Sequence, residues 1–192
     1  MEMDTKKMTA EAVGSLALTL LVFSQADSEM ITLGLVLAVL WMTFSGAQLL
    51  PVITIGSMAA GKTDWQTGAL NFCMQIVGAL IAAAVIKFGQ DGTVGTDVGA
   101  MASLGDAVTA LVGGFLLMTV YDRLGGGWAA GLFAAVVAGA GVSISGAADL
   151  GGTLVNSAWE ADFVGLFGSM IVGGVGAAAA LMVGDQFLPE EE

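Results

Sequence analysis

The chain has 192 residues, of which 56% are hydrophobic and only 11% are charged, with a formal net charge of −12. Because a soluble domain carries about 25% charged residues, this composition indicates an integral membrane protein. The lack of histidine and the single cysteine, Cys73, exclude histidine-ligated metal sites, Ser-His catalysis and an intramolecular disulfide. The five basic residues form no patch for nucleic acid. We interpret the acidic excess as a solvated rim at helix ends, with adaptation to a saline habitat as the alternative.

Apolar segments in chain order predict six membrane-spanning helices. No polar stretch is long enough for a separate soluble domain, so we expect one all-helical membrane domain over residues 1–192. The predicted spans are Thr9–Gln25, Met30–Phe44, Thr67–Phe88, Gly105–Tyr121, Trp128–Ile144 and Phe163–Val183.

Two shorter apolar pieces, Pro51–Ala60 and Gly152–Ala161, lie between predicted spans. At about 1.5 Å per residue, each reaches roughly half way across a hydrocarbon core of about 30 Å. We therefore expect re-entrant half-helices, which are tolerated at membrane depth only when they are buried in protein or line a water-filled path.

The charges at the start of the chain bear on its orientation. The first residues are charged, and no short apolar core with a small-residue cleavage site follows them, so we expect the first span to be retained. With the N-terminus in the cytoplasm, six spans place Lys6, Lys7, Lys62 and Arg123 inside and only Lys87 outside. The positive-inside bias therefore predicts that both termini are cytoplasmic.

A short motif occurs twice, one hundred residues apart. Ser45-Gly46-Ala47 and Ser145-Gly146-Ala147 each close an apolar run and open a short glycine-containing one, and five of thirteen aligned pairs are identical. Two halves of three spans each, approximately residues 9–88 and 105–187, predict an inverted-topology repeat. Interrupted hydrophobic segments at matching places indicate a transport site between the halves.

Three segments resemble signatures of one known family. The stretch from Ser45 to Gly56 keeps the frame of a re-entrant signature, Ser-Gly-Ala-His-x-Asn-Pro-Ala-Val-Thr-Ile-Gly, with Leu50 in place of the asparagine. Ala10–Ser15 resembles the Ala-Glu-Phe-x-Gly-Thr that opens the first helix of that family, and Gln75–Ala79 resembles the Gln-x-x-Gly-Ala of its third helix. The chain thus resembles the major intrinsic protein family, the aquaporins and aquaglyceroporins, over nearly its whole length.

The family's second signature, Ser-Gly-x-x-x-Asn-Pro-Ala-Arg-Ser, is less well kept. Matched from Ser145, its Asn-Pro-Ala positions fall on Leu150-Gly151-Gly152, and its arginine position falls on Thr153. An alternative register puts Asn156-Ser157-Ala158 in the Asn-Pro-Ala role, which leaves little chain for a half-helix before the last span.

The resemblance implies that two half-helices meet N-terminus to N-terminus beside a pore, with their positive ends towards the passing solute. The motif positions there are Leu50, Pro51, Val52, Leu150, Gly151 and Gly152. The family's outer constriction would consist of Leu33, Ala138 and Thr153, without the arginine. Such a constriction is uncharged, mostly apolar and wider than a narrow cationic filter.

Two carboxylates lie near the starts of the first and fourth predicted spans, in Glu11-Ala12-Val13 and its echo Asp106-Ala107-Val108. The resemblance implies that Glu11 and Asp106 accept hydrogen bonds from the main chain of the re-entrant loops. The competing interpretation is an acid at an exposed helix N-terminus, which the helix dipole favours.

These features predict a passive channel for small uncharged solutes, water or both, without a cofactor or metal. The resemblance also implies a homotetramer in the lipid bilayer with one pore per subunit. A non-conducting structural or interaction protein on the same scaffold is the alternative, because Leu50 and Leu150 could plug the centre by dewetting. A secondary transporter is a third hypothesis, with Glu11 as its deep carboxylate. An enzyme is not expected, since no base–nucleophile pair is visible.

Overall fold

The computed structural model describes residues 5–22, 30–89, 103–139, 146–155 and 163–187. Within these ranges every regular element is an α-helix, which agrees with the predicted all-helical class. The helices are α1 (Thr5–Val22), α2 (Met30–Thr43), α3 (Pro51–Ala59), α4 (Trp65–Gly89), α5 (Leu104–Leu124), α6 (Trp128–Gly139), α7 (Gly146–Val155) and α8 (Phe163–Phe187).

Three described helices are long and apolar enough to cross a membrane. They are Trp65–Gly89, Leu104–Leu124 and, within α8, Phe167–Gly184, while Ile31–Thr43 and Trp128–Ala138 are apolar but shorter. The predicted spans over α4, α5 and α8 therefore meet this criterion of length and composition. The end of the predicted fifth span, at Ile144, lies outside the described residues.

The two short helices differ in how well the sequence predicts them. α3 begins at Pro51, as predicted, because proline at the first helical position lacks only an N–H that has no intrahelical partner there. The predicted start of the second short helix at Gly152 is wrong, since α7 begins six residues earlier, at Gly146. Ala147 and Ala148 are strong helix formers and extend the helix towards its N-terminus. Residues 156–162 lie outside the described residues.

The helices pack in matching pairs. α1 packs along α4 as α5 packs along α8, and α2 crosses α6. The short α3 lies against α8, whereas the short α7 lies against α4, and the two short helices also touch each other. Each short helix therefore rests on a long helix from the other half of the chain.

Main chains approach each other directly at the two long interfaces. A Cβ atom on Gly78 of α4 would overlap the carbonyl oxygen of Ala12 on α1. A Cβ atom on Gly176 of α8 would likewise overlap the carbonyl oxygen of Leu111 on α5. Membrane helices associate through such close packing at small residues, so these glycines set the helix separation.

Candidate functional site

The loop between α2 and α3 (residues 44–50) carries the candidate site. Its backbone leaves the helical conformation at Gly46 (φ 84°) and again at Leu49, where φ is 63°. A left-handed φ is costly for leucine, so neighbouring contacts must hold it in place. Leu49 is fully buried, with a methyl group of its side chain against Gly14 of α1, so a larger residue at position 14 would have to displace that methyl group.

Glu11 of α1 holds this loop from one side. Its Oε1 accepts a hydrogen bond from the Gln48 N–H at 2.6 Å, and its Oε2 accepts one from the Leu49 N–H at 2.8 Å. The Gln75 side chain of α4 donates to Oε2 at 2.8 Å. Glu11 is 0% exposed, and three donors on one buried carboxylate offset part of its desolvation cost.

Gln75 links the carboxylate to the short helix. Its Nε2 lies 2.9 Å from Thr54 Oγ1 on α3, and its main-chain oxygen accepts a hydrogen bond from Ser15 Oγ at 2.7 Å. Glu11, Ser15, Thr54 and Gln75 thus join α1, the loop, α3 and α4 through buried hydrogen bonds. We call these four residues the polar hub.

Two aromatic side chains hold the same loop from the other side. Trp41 Nε1 of α2 donates to the Gln48 carbonyl oxygen at 3.1 Å, and the Tyr121 hydroxyl of α5 donates to the Ala47 carbonyl oxygen at 3.2 Å. The rings of Trp41 and Tyr121 pack together with centroids 5.1 Å apart and planes tilted by 56°. No sequence pattern predicts this pair, although a tryptophan and a tyrosine among small apolar residues normally need hydrogen-bond acceptors when buried.

Leu50 lies at the point where the loop becomes α3. It is the N-cap residue of α3, its side chain gives no cap hydrogen bond, and it is 1% exposed. Pro51 and Val52, which follow it, are also buried. Leu50 and Val52 belong to a large apolar cluster that includes Leu37, Leu117 and other residues of α1, α2, α5, α6 and α8.

Leu150 occupies a different kind of position. It is the fifth residue of α7 and packs with Met170 of α8 and Ile55 of α3. The prediction that Leu150 precedes a half-helix, as Leu50 does, is therefore wrong. Gly151 and Gly152 lie inside the same helix rather than at its start.

Two glycines show which residues of α3 and α7 occupy corresponding positions. Gly56 is the sixth residue of α3, and a Cβ on it would lie 3.1 Å from the main chain of Ala177. Gly151 is the sixth residue of α7, and a Cβ on it would lie 2.9 Å from the main chain of Ala79. These matching contacts make Gly146 the equivalent of Pro51, and the residue before Gly146 in the sequence is Ser145. Ser145 itself lies outside the described residues, as does the alternative motif Asn156–Ala158.

The predicted constriction residues lie in two helices of the apolar cluster and in α7. Leu33 of α2 is buried, and Ala138 of α6 is half-buried against the same cluster. Thr153 is the eighth residue of α7, and its side chain is outside the described part of the structure. Whether these three residues line one constriction stays a prediction.

Asp106 lies at the exposed start of α5. It forms a capping box with Ser103, in which Asp106 Oδ2 accepts from the Ser103 N–H at 2.9 Å and Ser103 Oγ accepts from the Asp106 N–H at 3.2 Å. This geometry fits the competing interpretation of an acid at a helix N-terminus. The connection between α6 and α7, residues 140–145, is outside the described residues, so a loop-supporting role of Asp106 stays a prediction.

The contacts of α5 identify the position that corresponds to Glu11. Ala12 lies against Gly78 as Leu111 lies against Gly176. The residue that precedes Leu111 is Ala110, so the equivalent of Glu11 is an apolar alanine. Asp106, which the sequence motif pairs with Glu11, therefore lies one helical turn before the position that corresponds to Glu11.

A cavity of about 380 Å³ adjoins the loop at the end of the bundle where α1 begins. Ala47, whose carbonyl oxygen accepts from Tyr121, forms part of its wall. Its lining residues are Lys6, Lys7, Ala10, Thr43, Phe44, Ser45, Gly46 and Ala47. Among the residues that the structure describes, no group of three His, Cys, Asp or Glu side chains could hold a metal ion.

The whole architecture is similar to that of a solved channel protein. The X-ray structure of the aquaglyceroporin from Plasmodium falciparum superimposes with a TM-score of 0.68 at 17% sequence identity, over 95% of this chain and 96% of that one. No family model matches the sequence. At this level of identity the likeness establishes the fold: the chain has an aquaporin-like helical fold. Together with its apolar helices, this fold indicates an integral membrane protein.

Proposed function

We propose that the chain is a passive transmembrane channel for small uncharged solutes, water or both. The observation that carries the proposal is the α2–α3 loop, whose residues 47–50 have an irregular backbone that is buried in the fold and leads directly into a short helix. Irregular backbone at membrane depth persists only where it is buried in protein or borders a water-filled cavity. The cavity beside Gly46 and Ala47 offers such a border, and the aquaporin-like fold supports the same function.

The proposed channel consists of six spans and two re-entrant half-helices in an inverted repeat. The matching helix pairs support it, because α1 on α4 corresponds to α5 on α8. The reciprocal crossing of α2 and α6 supports it as well. A Cβ on Gly34 would lie 2.7 Å from the Gly131 carbonyl oxygen, and a Cβ on Gly131 would lie 2.5 Å from the Gly34 carbonyl oxygen.

The proposed constriction has no fixed positive charge. Arg123 is the only arginine in the chain, and it lies in the last turn of α5. In the register set by Gly56 and Gly151, the family's arginine position moves from Thr153 to Ala148, which is buried and apolar. A path of this kind selects by size and by the cost of desolvating the solute rather than by charge.

The experiment that tests the channel is solute flux into liposomes that contain the purified protein. Stopped-flow light scattering with sucrose, glycerol and urea gradients measures the permeability to water and to each small solute. We expect at least one of these rates to exceed that of protein-free liposomes. Rates equal to those of protein-free liposomes for water and every solute would contradict the channel proposal.

A matched pair of variants on α6 separates flux through the protein from leakage at its surface. Ala138→Leu adds bulk at the proposed constriction, so it should lower glycerol flux more than water flux. Val136→Leu adds less bulk two residues away, at a site that is 66% exposed, so it should leave both fluxes unchanged. Equal effects of the two variants would remove Ala138 from the constriction.

A second candidate function is a non-conducting structural or interaction protein on the same scaffold. One observation favours it: the carbonyl oxygens of Ala47 and Gln48 are bonded to aromatic side chains. Such carbonyls cannot offer those lone pairs to a passing solute while the bonds persist. A wild-type protein with no measurable flux, together with stable capture of a partner membrane protein, would favour this function.

The proposed assembly is a homotetramer with one path per subunit and both termini in the cytoplasm. Family resemblance supports the tetramer, and the distribution of lysine and arginine supports the orientation. Exposed apolar side chains along α4, including Val77, Ile81 and Val85, provide a face for lipid or for a neighbouring subunit. Light scattering of the detergent-purified protein and labelling of tags at each terminus would test the two parts separately.

A further inference from the structure

Two successive peptide groups of the α2–α3 loop are held at both ends. All described peptide bonds are trans, so the N–H and C=O of one peptide group point in opposite directions. The Gln48 N–H donates to Glu11, and the Ala47 carbonyl of the same peptide group accepts from Tyr121. The Leu49 N–H donates to Glu11, and the Gln48 carbonyl of that peptide group accepts from Trp41.

The carbonyl groups of Ala47 and Gln48 therefore point away from Glu11. A water-filled path along the loop would meet them on that side. Buried carbonyls need a donor, either water in the path or a protein group. Here the donors are the polar tips of Trp41 and Tyr121, and Trp41 is only 3% exposed. The two aromatic side chains occupy the places that water would take.

The turn between α5 and α6 closes over the pair. Gly126 has a left-handed φ of 69°, and a Cβ on it would lie 2.9 Å from the Tyr121 ring and 3.3 Å from Trp41. Only a glycine lets the main chain come this close in this conformation. The pair is thus flanked by α2, α5 and the turn after α5, with Trp41 buried and Tyr121 half-buried.

The opposite end of the bundle has no such pair at the equivalent positions. Gly34 faces Gly131, so Trp41, seven residues after Gly34, corresponds to Ala138. Ala12 corresponds to Leu111, so Tyr121, ten residues after Leu111, corresponds to Val22. Because small apolar residues satisfy the fold at one end, packing alone does not require two large aromatic residues at the other.

We propose that Trp41 and Tyr121 form a hydrogen-bonded aromatic plug that closes the path at the end where α1 begins, and that this plug, rather than Leu50, sets the permeability. The inference rests on the proposed channel function. The cavity of about 380 Å³ is then the mouth of the path at the end where α1 begins, and it ends at Ala47, whose carbonyl oxygen accepts from Tyr121. Solute passes only when the two rings move off the carbonyls.

The first test measures flux through opened variants. Trp41→Ala and Tyr121→Ala remove the rings, and Trp41→Phe and Tyr121→Phe keep a ring while removing only its donor, so the second pair protects against misfolding. We expect water permeability to rise by about tenfold or more in the alanine variants, since they lose the ring together with a buried hydrogen bond whose loss alone shifts a closed–open equilibrium by up to about tenfold. The phenylalanine variants should show a smaller rise. The control Trp128→Ala, at a site that is 51% exposed, should match the wild type.

The second test does not depend on flux. Ala47→Cys in a Cys73→Ser background places one thiol beside the plug, and a small water-soluble thiol reagent reports its accessibility. We expect slow labelling with the plug intact and at least several-fold faster labelling when Trp41→Ala is added. Unchanged labelling would overturn the plug.

The combined outcomes separate the two proposals. Faster labelling with higher flux supports both the plug and the channel. Faster labelling without flux from any variant keeps the seal over Ala47 but rejects the channel. A conducting wild type whose flux is unchanged by all four variants, and whose labelling is unchanged by Trp41→Ala, keeps the channel and rejects the plug.

Discussion

Glu11 and Tyr121 hold opposite ends of one peptide group. The carboxylate of Glu11 accepts from the Gln48 N–H at 2.6 Å, and the Tyr121 hydroxyl donates to the Ala47 carbonyl at 3.2 Å. Hydrogen bonds at the two ends of a peptide polarise it in the same sense and strengthen each other. Residues from α1 and α5, which belong to different halves of the chain, are therefore coupled through the main chain of a third segment.

The first prediction concerns the carboxylate. Glu11→Gln replaces two acceptor oxygens by one oxygen and an NH2 group that faces main-chain donors. We expect the free energy of unfolding to fall by about 1–3 kcal/mol, the cost of leaving buried donors unpaired. Thermal or SDS unfolding of the detergent-purified protein measures it. The control Asp106→Asn changes an acid at an exposed helix start and should cost less. Equal losses for both variants would contradict a special role of Glu11.

The second prediction separates the two leucines that the sequence repeat pairs. Leu50→Asn puts a good N-cap residue at the start of α3, where the cap is worth about 0.5–2 kcal/mol and offsets the lost apolar burial. Leu150→Asn buries an amide among Met170 and Ile55, so we expect a loss of about 1–3 kcal/mol. Unfolding measurements on both variants check this order. A larger loss for Leu50→Asn would contradict the assigned register.

The third prediction uses helix contacts. Gly78→Ala places a methyl group on the Ala12 carbonyl, so α1 and α4 must separate, at a cost of about 1–3 kcal/mol. Gly184→Ala meets no atom within 4 Å of the new Cβ and should be neutral or stabilising, because alanine is the better helix former. The two alanine variants are compared by their unfolding midpoints. The interpretation fails if both shift the midpoint in the same direction by similar amounts.

The fourth prediction is a pH dependence at the start of α4. Asp64 precedes α4, and its Oδ1 accepts from the Thr67 N–H at 2.9 Å. Hydrogen bonds from the Thr67 side chain and main chain lower the pKa of Asp64 below its ordinary value. Because the folded-state pKa is the lower one, this contribution to stability is complete above the ordinary pKa and is lost as the pH falls through the folded-state value.

Asp64→Ala tests this cap. The variant should be less stable than the wild type at neutral pH, and the difference should shrink as the pH is lowered into the acid range. Unfolding midpoints at several pH values measure the difference. A difference that stays constant down to strongly acidic pH would show that the carboxylate charge does not stabilise α4.

In this membrane protein rich in small residues, a local signal such as proline predicts a helix start more reliably than a repeated motif does. Proline locates the start of α3 because its effect is local to the first helical turn. The repeated Ser-Gly-Ala misplaces α7, because the motif recurs one hundred residues apart whereas the contacting glycines Gly56 and Gly151 are ninety-five apart. The connections between helices differ in length between the two halves, so the sequence offset between corresponding helices differs from one pair to the next. A single aligned motif therefore cannot align all the pairs.

In the candidate site, too, one contact could be predicted from the sequence and another could not. The hydrogen bonds that Glu11 accepts from the Gln48 and Leu49 N–H groups are of the kind that the family resemblance implies for a supporting carboxylate. The contact of Trp41 with Tyr121 joins residues eighty apart in sequence, and no periodicity or motif connects them. Such pairs depend on the tertiary arrangement of α2 and α5, which local patterns do not encode.

The polar hub has a consequence for how the protein is made. Eight of the nine buried polar side chains among the described residues lie in the first half, whereas Ala110, Gly114 and Gly173 occupy the places of Glu11, Ser15 and Gln75 in the second. An unpaired acid in a helix that enters lipid raises the free energy of insertion, and the cost grows as the acid lies deeper in the bilayer. In a newly synthesised α1 the Glu11 carboxylate therefore has none of its donors until Gln48 and Leu49 of the loop, and then Gln75 of α4, have been made, whereas α5 has Ala110 at the equivalent position. We therefore expect α1 to settle in the bilayer together with the loop and α4, whereas the described helices of the second half share no buried acid that would tie their insertion together.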